Sequence, residues 1–231
     1  MKEFKELLNL EVYVQICETK AVTLVGASEF RKKDLLDCLD FAPTLIAVDG
    51  GANNLLDLKI FPKYIVGDMD SIRNSEFFSR QGTELIHIAE QDTTDFDKSL
   101  RVFNRCKYFL ALGFLGKRND HYLGAFSTIL RNPNLKVILV NKYDMIFLMP
   151  RRFRIMLPKK TRLSLFPFGE VQGVKSKGLK YPIDGIKFNP FGMTGISNET
   201  VDEQVEIEVK TKKMLLILPR KYLKKVISQI N

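Results

Sequence analysis

The chain has 231 residues, 45% of them hydrophobic, and a formal net charge of +9 at pH 7. That length supports one large domain or two smaller ones with real cores, and no run approaches the ~20 apolar residues that a membrane span needs. The start, "MKEFKELLNLEVYVQ", lacks the basic, apolar and small-residue order of a signal peptide, so a cytoplasmic protein without a membrane partner is expected.

From residue 21 to about 141 two patterns alternate. The short apolar runs "AVTLVG", "TLIAVD", "KYIVGD", "ELIHIA", "KYFLALG" and "LKVILV" predict buried strands. Between them, "RKKDLLDCLD", "GANNLLDLK", "TDFDKSLRVFNRC" and "DHYLGAFSTILR" carry helical spacing. Strands buried on both faces and separated by helices predict an α/β layer with a mostly parallel sheet. His87 falls inside one of these apolar runs and is expected to be a core histidine. Past residue 142 the runs "DMIFLMP", "FRIMLP", "RLSLFPF", "VEIEVK" and "MLLILP" are short, β-rich and broken by Pro, Gly and Asn. They predict an antiparallel β-sandwich or partial barrel. Two domains are therefore expected, 1–141 α/β and 142–231 antiparallel β. The three cysteines, Cys17, Cys38 and Cys106, have no CxxC spacing. They read as small buried or half-buried thiols rather than a disulfide framework or a zinc site.

In an open α/β sheet, ligands bind beyond the carboxyl ends of the strands, so those ends form a set. One ends on Asp49-Gly50-Gly51 and the next on Gly67-Asp68-Met69-Asp70-Ser71. A third leads into Gln91, Asp92 and Asp95, and a fourth into Gly116-Lys117-Arg118-Asn119-Asp120. Turns could take such residues singly, but four strand ends have no independent reason to agree. Asp68 and Asp70, with Asp92 and Asp95, offer only hard oxygen donors, and such sets suit Mg2+ held against substrate phosphates. Neither His87 nor His121 has a transition-metal spacing to them. Gly50 and Gly51, like Gly113 and Gly116, would let phosphates approach helix N-termini, and Lys117 and Arg118 could neutralise them. No P-loop and no GxGxxG occurs. From the residues alone, the chemistry is Mg2+-dependent phosphate transfer on an α/β rim, with no substrate specified.

Six blocks in order carry a resemblance. "DGGAN" (Asp49 to Asn53), "GDMDS" (Gly67 to Ser71), "QDTTDFDK" (Gln91 to Lys98), "GKRNDH" (Gly116 to His121), "GLKYPI" (Gly178 to Ile183) and "GISNE" (Gly195 to Glu199) are similar to those of the thiamine pyrophosphokinase family. The resemblance covers nearly the whole chain. It implies an α/β domain followed by a β-sandwich, a homodimer, and transfer of a pyrophosphoryl group from ATP to thiamine, giving thiamine diphosphate and AMP. It further implies that Asp68, Asp70 and Asp95 hold Mg2+. Asp49, Gly50, Gln91, Asp92, Lys98, Lys117, Arg118 and Asp120 would line the nucleotide and phosphate path, with Asp120 or Asp95 available to take a proton. Ser197 and Asn198 would help hold thiamine in a cleft completed by the second subunit. The eukaryotic relatives stack a tryptophan on thiamine, and this chain has no Trp; Phe188, Phe191 and Tyr181 are the candidates to replace it. A catalytically inactive nucleotide- or thiamine-phosphate-binding protein on the same fold is the alternative.

The excess positive charge lies late, at Arg151, Arg152, Arg154, Lys159, Lys160, Lys210, Lys212, Lys213, Arg220, Lys221, Lys224 and Lys225. No RNP, zinc-finger or helix-turn-helix signature accompanies it, so solvated faces are expected and no nucleic-acid partner.

Overall fold

A computed structural model describes residues 16, 20–116 and 118–230; Cys17 and Lys117 lie outside them. The first half builds strands β1 (Val22–Val25), β2 (Thr44–Val48), β3 (Tyr64–Gly67), β4 (Glu84–His87), β5 (Phe109–Leu112) and β6 (Val137–Val140). Helices α1 (Lys32–Leu39), α2 (Gly51–Asp57), α3 (Ser75–Arg80), α4 (Asp95–Val102) and α5 (Asn119–Arg131) connect them. All six strands pair in parallel, in the order β4-β3-β2-β1-β5-β6. Every residue of β1, β2, β3, β5 and β6 is buried, which is why they read as unbroken apolar runs rather than alternating ones.

β4 differs. It closes the edge of the sheet, and of its four residues only Ile86 is buried. His87 is exposed, which corrects the expectation of a core histidine: an edge strand has one flank and part of one face open to water. α3 also escaped the sequence pattern. It is short, and it starts where Asn74, in a left-handed backbone conformation, accepts a hydrogen bond from the Phe77 N–H.

The second half builds β7 (Asp144–Leu148), β8 (Arg152–Met156), β9 (Arg162–Pro167), β10 (Val171–Lys177), β11 (Lys187–Phe188), β12 (Gly195–Glu199), β13 (Gln204–Val209), β14 (Met214–Pro219) and α6 (Leu223–Ile230). The fold is the expected α/β layer followed by an antiparallel sandwich, but the sheet runs unbroken through residue 141. β7 turns back onto β6 through a tight connection in which the Asn141 side chain accepts from the N–H groups of Tyr143 and Asp144. β14, β9 and β12 follow, so ten strands form one sheet, antiparallel beyond β6. A separate four-stranded antiparallel sheet, β11-β10-β13-β8, covers its antiparallel end.

One apolar cluster fills the space between the sheets and reaches back under the parallel half. Phe153, Val205 and Ile207 share it with Met145, Leu165, Leu216, Leu110, Ile138 and Cys38. Burial pushes the Cys38 thiol up to about 12, so it behaves as a small hydrophobe. A buried ion cluster also joins the halves: Asp34 of α1, only 1% exposed, pairs with Arg220 after β14 and with Arg31. Burial raises the Asp34 carboxyl, but hydrogen bonds from Arg31 and Arg220 outweigh that and hold it at about 2. Among the described residues no helix is long and apolar enough to cross a membrane.

Candidate active site

The sheet order reverses between β1 and β5: from β1 the chain moves outward to β4, then returns to the other side of β1. Such a switch point opens a crevice at the carboxyl ends of the strands. Gly26 after β1 and Gly113 after β5 face each other there. A Cβ on either would stand 2.6 Å from the other's carbonyl oxygen, so both must be glycine for the loops to pass. The cleft above them has a volume of about 380 Å3. Its walls include Ala27 and Ser28 after β1, Asp49 and Gly50 after β2, Ser71 after β3, Thr94 and Asp95 at the start of α4, and Arg118, Asp120 and His121 at the start of α5.

Three acids converge beside it. One carboxylate oxygen each from Asp49, Asp68 and Asp95 lies within 4.8 Å of the others. Asp49 sits in a left-handed backbone conformation (φ 41°) and its N–H is held by the Val66 carbonyl at 2.8 Å. Its Oδ1 is buried with no hydrogen-bond partner. A buried carboxylate oxygen left bare is costly, and three hard oxygens around one point are a donor set for a small divalent cation. The residues present therefore fit such a cation.

The surroundings hold each acid in place. Lys98, whose side chain is 2% exposed, lies behind Asp95 and donates to its Oδ1 at 2.9 Å. Burial pushes Asp95 above the ordinary carboxylate range, Lys98 opposes this, and the charges of Asp49 and Asp68 add to it. Gln91 donates to Asp68 Oδ2 at 3.2 Å, and that bond, with one from the Asp70 N–H to Oδ1, lowers the Asp68 carboxyl. α4 starts at Thr94, whose hydroxyl oxygen accepts from the Asp97 N–H at 3.2 Å. Asp97 in turn accepts from Thr128 and Arg131 of α5, at 2.9 and 2.5 Å, which locks the two helices that frame the cleft.

Several expected residues fall elsewhere. The i, i+2 pairing of Asp68 with Asp70 would share a face only on a continuing strand. β3 ends at Gly67, and Met69 takes a left-handed conformation (φ 68°), so Asp68 enters the cluster while Asp70 is exposed outside it. Asp49, expected on the nucleotide path, takes the third place. Lys98 is buried behind Asp95 rather than on the cleft wall. Asp92 is exposed on the loop before α4. Arg118 pairs with Asp120 at 2.5 Å, both side chains mostly in water, and this contact brings the Asp120 carboxyl down to about 2. Gly26, Ala27 and Ser28 were not among the expected site residues; the signal was the Gly-Ala-Ser that ends the first apolar run.

Ser197 and Asn198 lie on β12, six strand spacings from β1, or about 30 Å along the sheet. Ser197 has a left-handed backbone (φ 60°). The Asn198 side chain is buried and accepts from the Tyr181 N–H at 3.1 Å while donating to its carbonyl at 2.8 Å. Asn198 therefore fastens the "GLKYPI" loop to β12. Tyr181, Phe191, Met193 and Ile196 are exposed at that edge, whereas Phe188 is buried and cannot stack on a ligand.

Comparison with known proteins agrees with this architecture. Residues 35–139 match the model of the thiamin pyrophosphokinase catalytic domain, and residues 151–216 match that of the thiamin pyrophosphokinase vitamin B1 binding domain. A thiamine pyrophosphokinase of Oryza sativa is 29% identical, the match covering 72% of this chain and 78% of that one. One from Arabidopsis thaliana is 28% identical, covering 73% and 75%. Two solved structures share the fold: the Bacillus subtilis thiamine pyrophosphokinase (TM-score 0.72, 24% identity, 86% and 98% covered) and the yeast enzyme (0.73, 18%, 94% and 90%). Both family models match in the right order over most of the chain, and the chain belongs to the thiamine pyrophosphokinase family.

Proposed function

We propose that this chain transfers the pyrophosphoryl group of ATP to the hydroxyethyl oxygen of thiamine, releasing AMP, with Mg2+ held by Asp49, Asp68 and Asp95. The observation that carries this reading is the meeting of three carboxylates from three different loops at the switch-point cleft, one of them with a buried oxygen lacking any partner. When bound, the cation neutralises charge on the triphosphate and on the departing AMP.

The protein's own part is positioning and electrostatics, which dominate phosphoryl transfer. Lys98 and Gln91 fix the aim of Asp95 and Asp68. Arg118, at the mouth of the cleft and at the N-terminal end of α5, takes phosphate oxygens. Asp120, kept ionised by Arg118, orients that guanidinium rather than accepting a proton. The alcohol proton leaves late in a loose transition state, so no strongly basic side chain is required.

Thiamine is assigned to the β12 edge, with Ser197 and with Tyr181 or Phe191 as the stacking ring. The loops carrying Asp49 and Asp68 follow β2 and β3, seven and eight strand spacings from that edge, or about 35 Å along the sheet, so one chain does not bring both substrates together. A homodimer does, by setting the β12 edge of one copy against the strand-end cleft of the other. The test is product analysis with thiamine, ATP and Mg2+. Thiamine diphosphate and AMP in equal amounts are expected; ADP with thiamine monophosphate, or ligand binding with no AMP, would contradict the assignment.

A further inference from the structure

The loop from β4 to α4 is fastened at both ends by cations on one helix. At its start the Glu90 side chain, 10% exposed, accepts from the N–H groups of Asp92 and Thr93 at 2.8 and 3.0 Å. It also accepts from the Thr93 hydroxyl and from the Arg101 guanidinium, and Arg101 bonds the Thr93 hydroxyl oxygen at 2.7 Å. At the far end Lys98, one helical turn before Arg101, holds Asp95. Between these fastenings Gln91 reaches Asp68.

Gln91, Asp92 and Thr94 are themselves exposed; Thr94 is held by its cap on α4, and the hydrogen bonds of Asp92 and Thr93 described above run to Glu90 and Arg101. With four hydrogen bonds, the oxygens of Glu90 are saturated, and Glu90 can act only through its neighbours. Arg101 supplies the planar fork that binds a carboxylate and a hydroxyl together.

We propose that Glu90, clamped by Arg101, is a positioning residue for the cation-and-triphosphate end of the cleft. It sets the 90–94 loop so that Gln91 steadies Asp68 and α4 begins with Asp95 turned into the cluster. The inference rests on the reading of that cleft as the nucleotide site, and it assigns Glu90 no role toward thiamine.

Steady-state kinetics on the full-length protein separate this role from a merely structural one. Glu90→Gln and Arg101→Met are each expected to raise KM for MgATP about tenfold and to leave KM for thiamine within about twofold. The double variant is expected to be no worse than the poorer single one, because both break one contact. Arg101→Lys, which can reach Glu90 but not grip both partners, is expected to fall between wild type and Arg101→Met. Unchanged KM for MgATP, equal losses toward both substrates, or additive effects would overturn the proposal. Should Glu90→Gln fail to fold, the two Arg101 variants carry the same readouts. Wild-type protein that releases no AMP would overturn the functional reading instead. The clamp is then judged by calorimetric binding of Mn2+ with α,β-methylene-ATP: about tenfold weaker binding in either variant supports it, and equal affinity overturns it.

Discussion

The two ends of the ten-stranded sheet are built from similar strands and use their polar residues in opposite ways. At the parallel end, the segments that follow β2, β3 and β4 bring Asp49, Asp68 and Asp95 together beside one cleft, and the surrounding hydrogen bonds tune those acids rather than consume them. At the antiparallel end, polar side chains are spent on the fold. Asn198 pins a loop, Thr161 and Thr200 both donate to the Pro158 carbonyl, and Arg152 and Arg154 pair with Glu208 and Glu206 across strands. Beside its exposed charges, that end leaves a cluster of large apolar side chains in water at the β12 edge, Phe191, Met193 and Ile196. Parallel strands end together on one rim and can pool charge there. Antiparallel strands alternate their ends, so their functional surface is an edge.

If the parallel rim holds the chemistry, Asp49→Asn should cut AMP release by at least about a hundredfold, with the unfolding midpoint little changed because Oδ1 has no protein partner to lose. An Asp49→Asn enzyme of near-normal activity would break the contrast at its strongest point. The ion cluster that joins the halves predicts the reverse pattern. Asp34→Ala should destabilise the protein by about 3 kcal/mol, since it leaves the mostly buried Arg220 poorly paired, while KM for both substrates stays the same; denaturant titration checks the first and kinetics the second. The Asp34 carboxyl is depressed in the folded state, so its contribution is complete above its ordinary pKa and fades as pH falls from about 4 to about 2. The gap in stability between wild type and Asp34→Asn should close over that window.

The antiparallel edge should answer only to thiamine. Phe191→Ala is expected to raise KM for thiamine about tenfold and leave KM for MgATP and the melting temperature unchanged. His87→Ala, on the exposed edge strand, should change none of these, and any loss of stability would restore the core reading of that residue.

The parallel half was legible because double-sided burial forces apolar runs, and acids and glycines after such runs mark the rim. The sandwich was legible from short runs cut by Pro and Gly, but the continuity of one sheet through residue 141 was not. Pairing of β7 onto β6 depends on a turn, and composition shifts there without the sheet ending. The part of Asp49 in the carboxylate cluster was not legible, because Met69 turns the chain just past β3 and sets Asp70 apart from Asp68. The distance between Ser197 and the acids, and the clamp on Glu90, depend on strand order and helix facing, which no short motif encodes.

The most direct test of the three-carboxylate site is the anomalous signal of Mn2+ in crystals grown with α,β-methylene-ATP. A peak within coordination distance of Asp49, Asp68 and Asp95 together is the expected result. A peak held by Asp70 or Asp92, with the Asp49 carboxylate outside its coordination sphere, would contradict it.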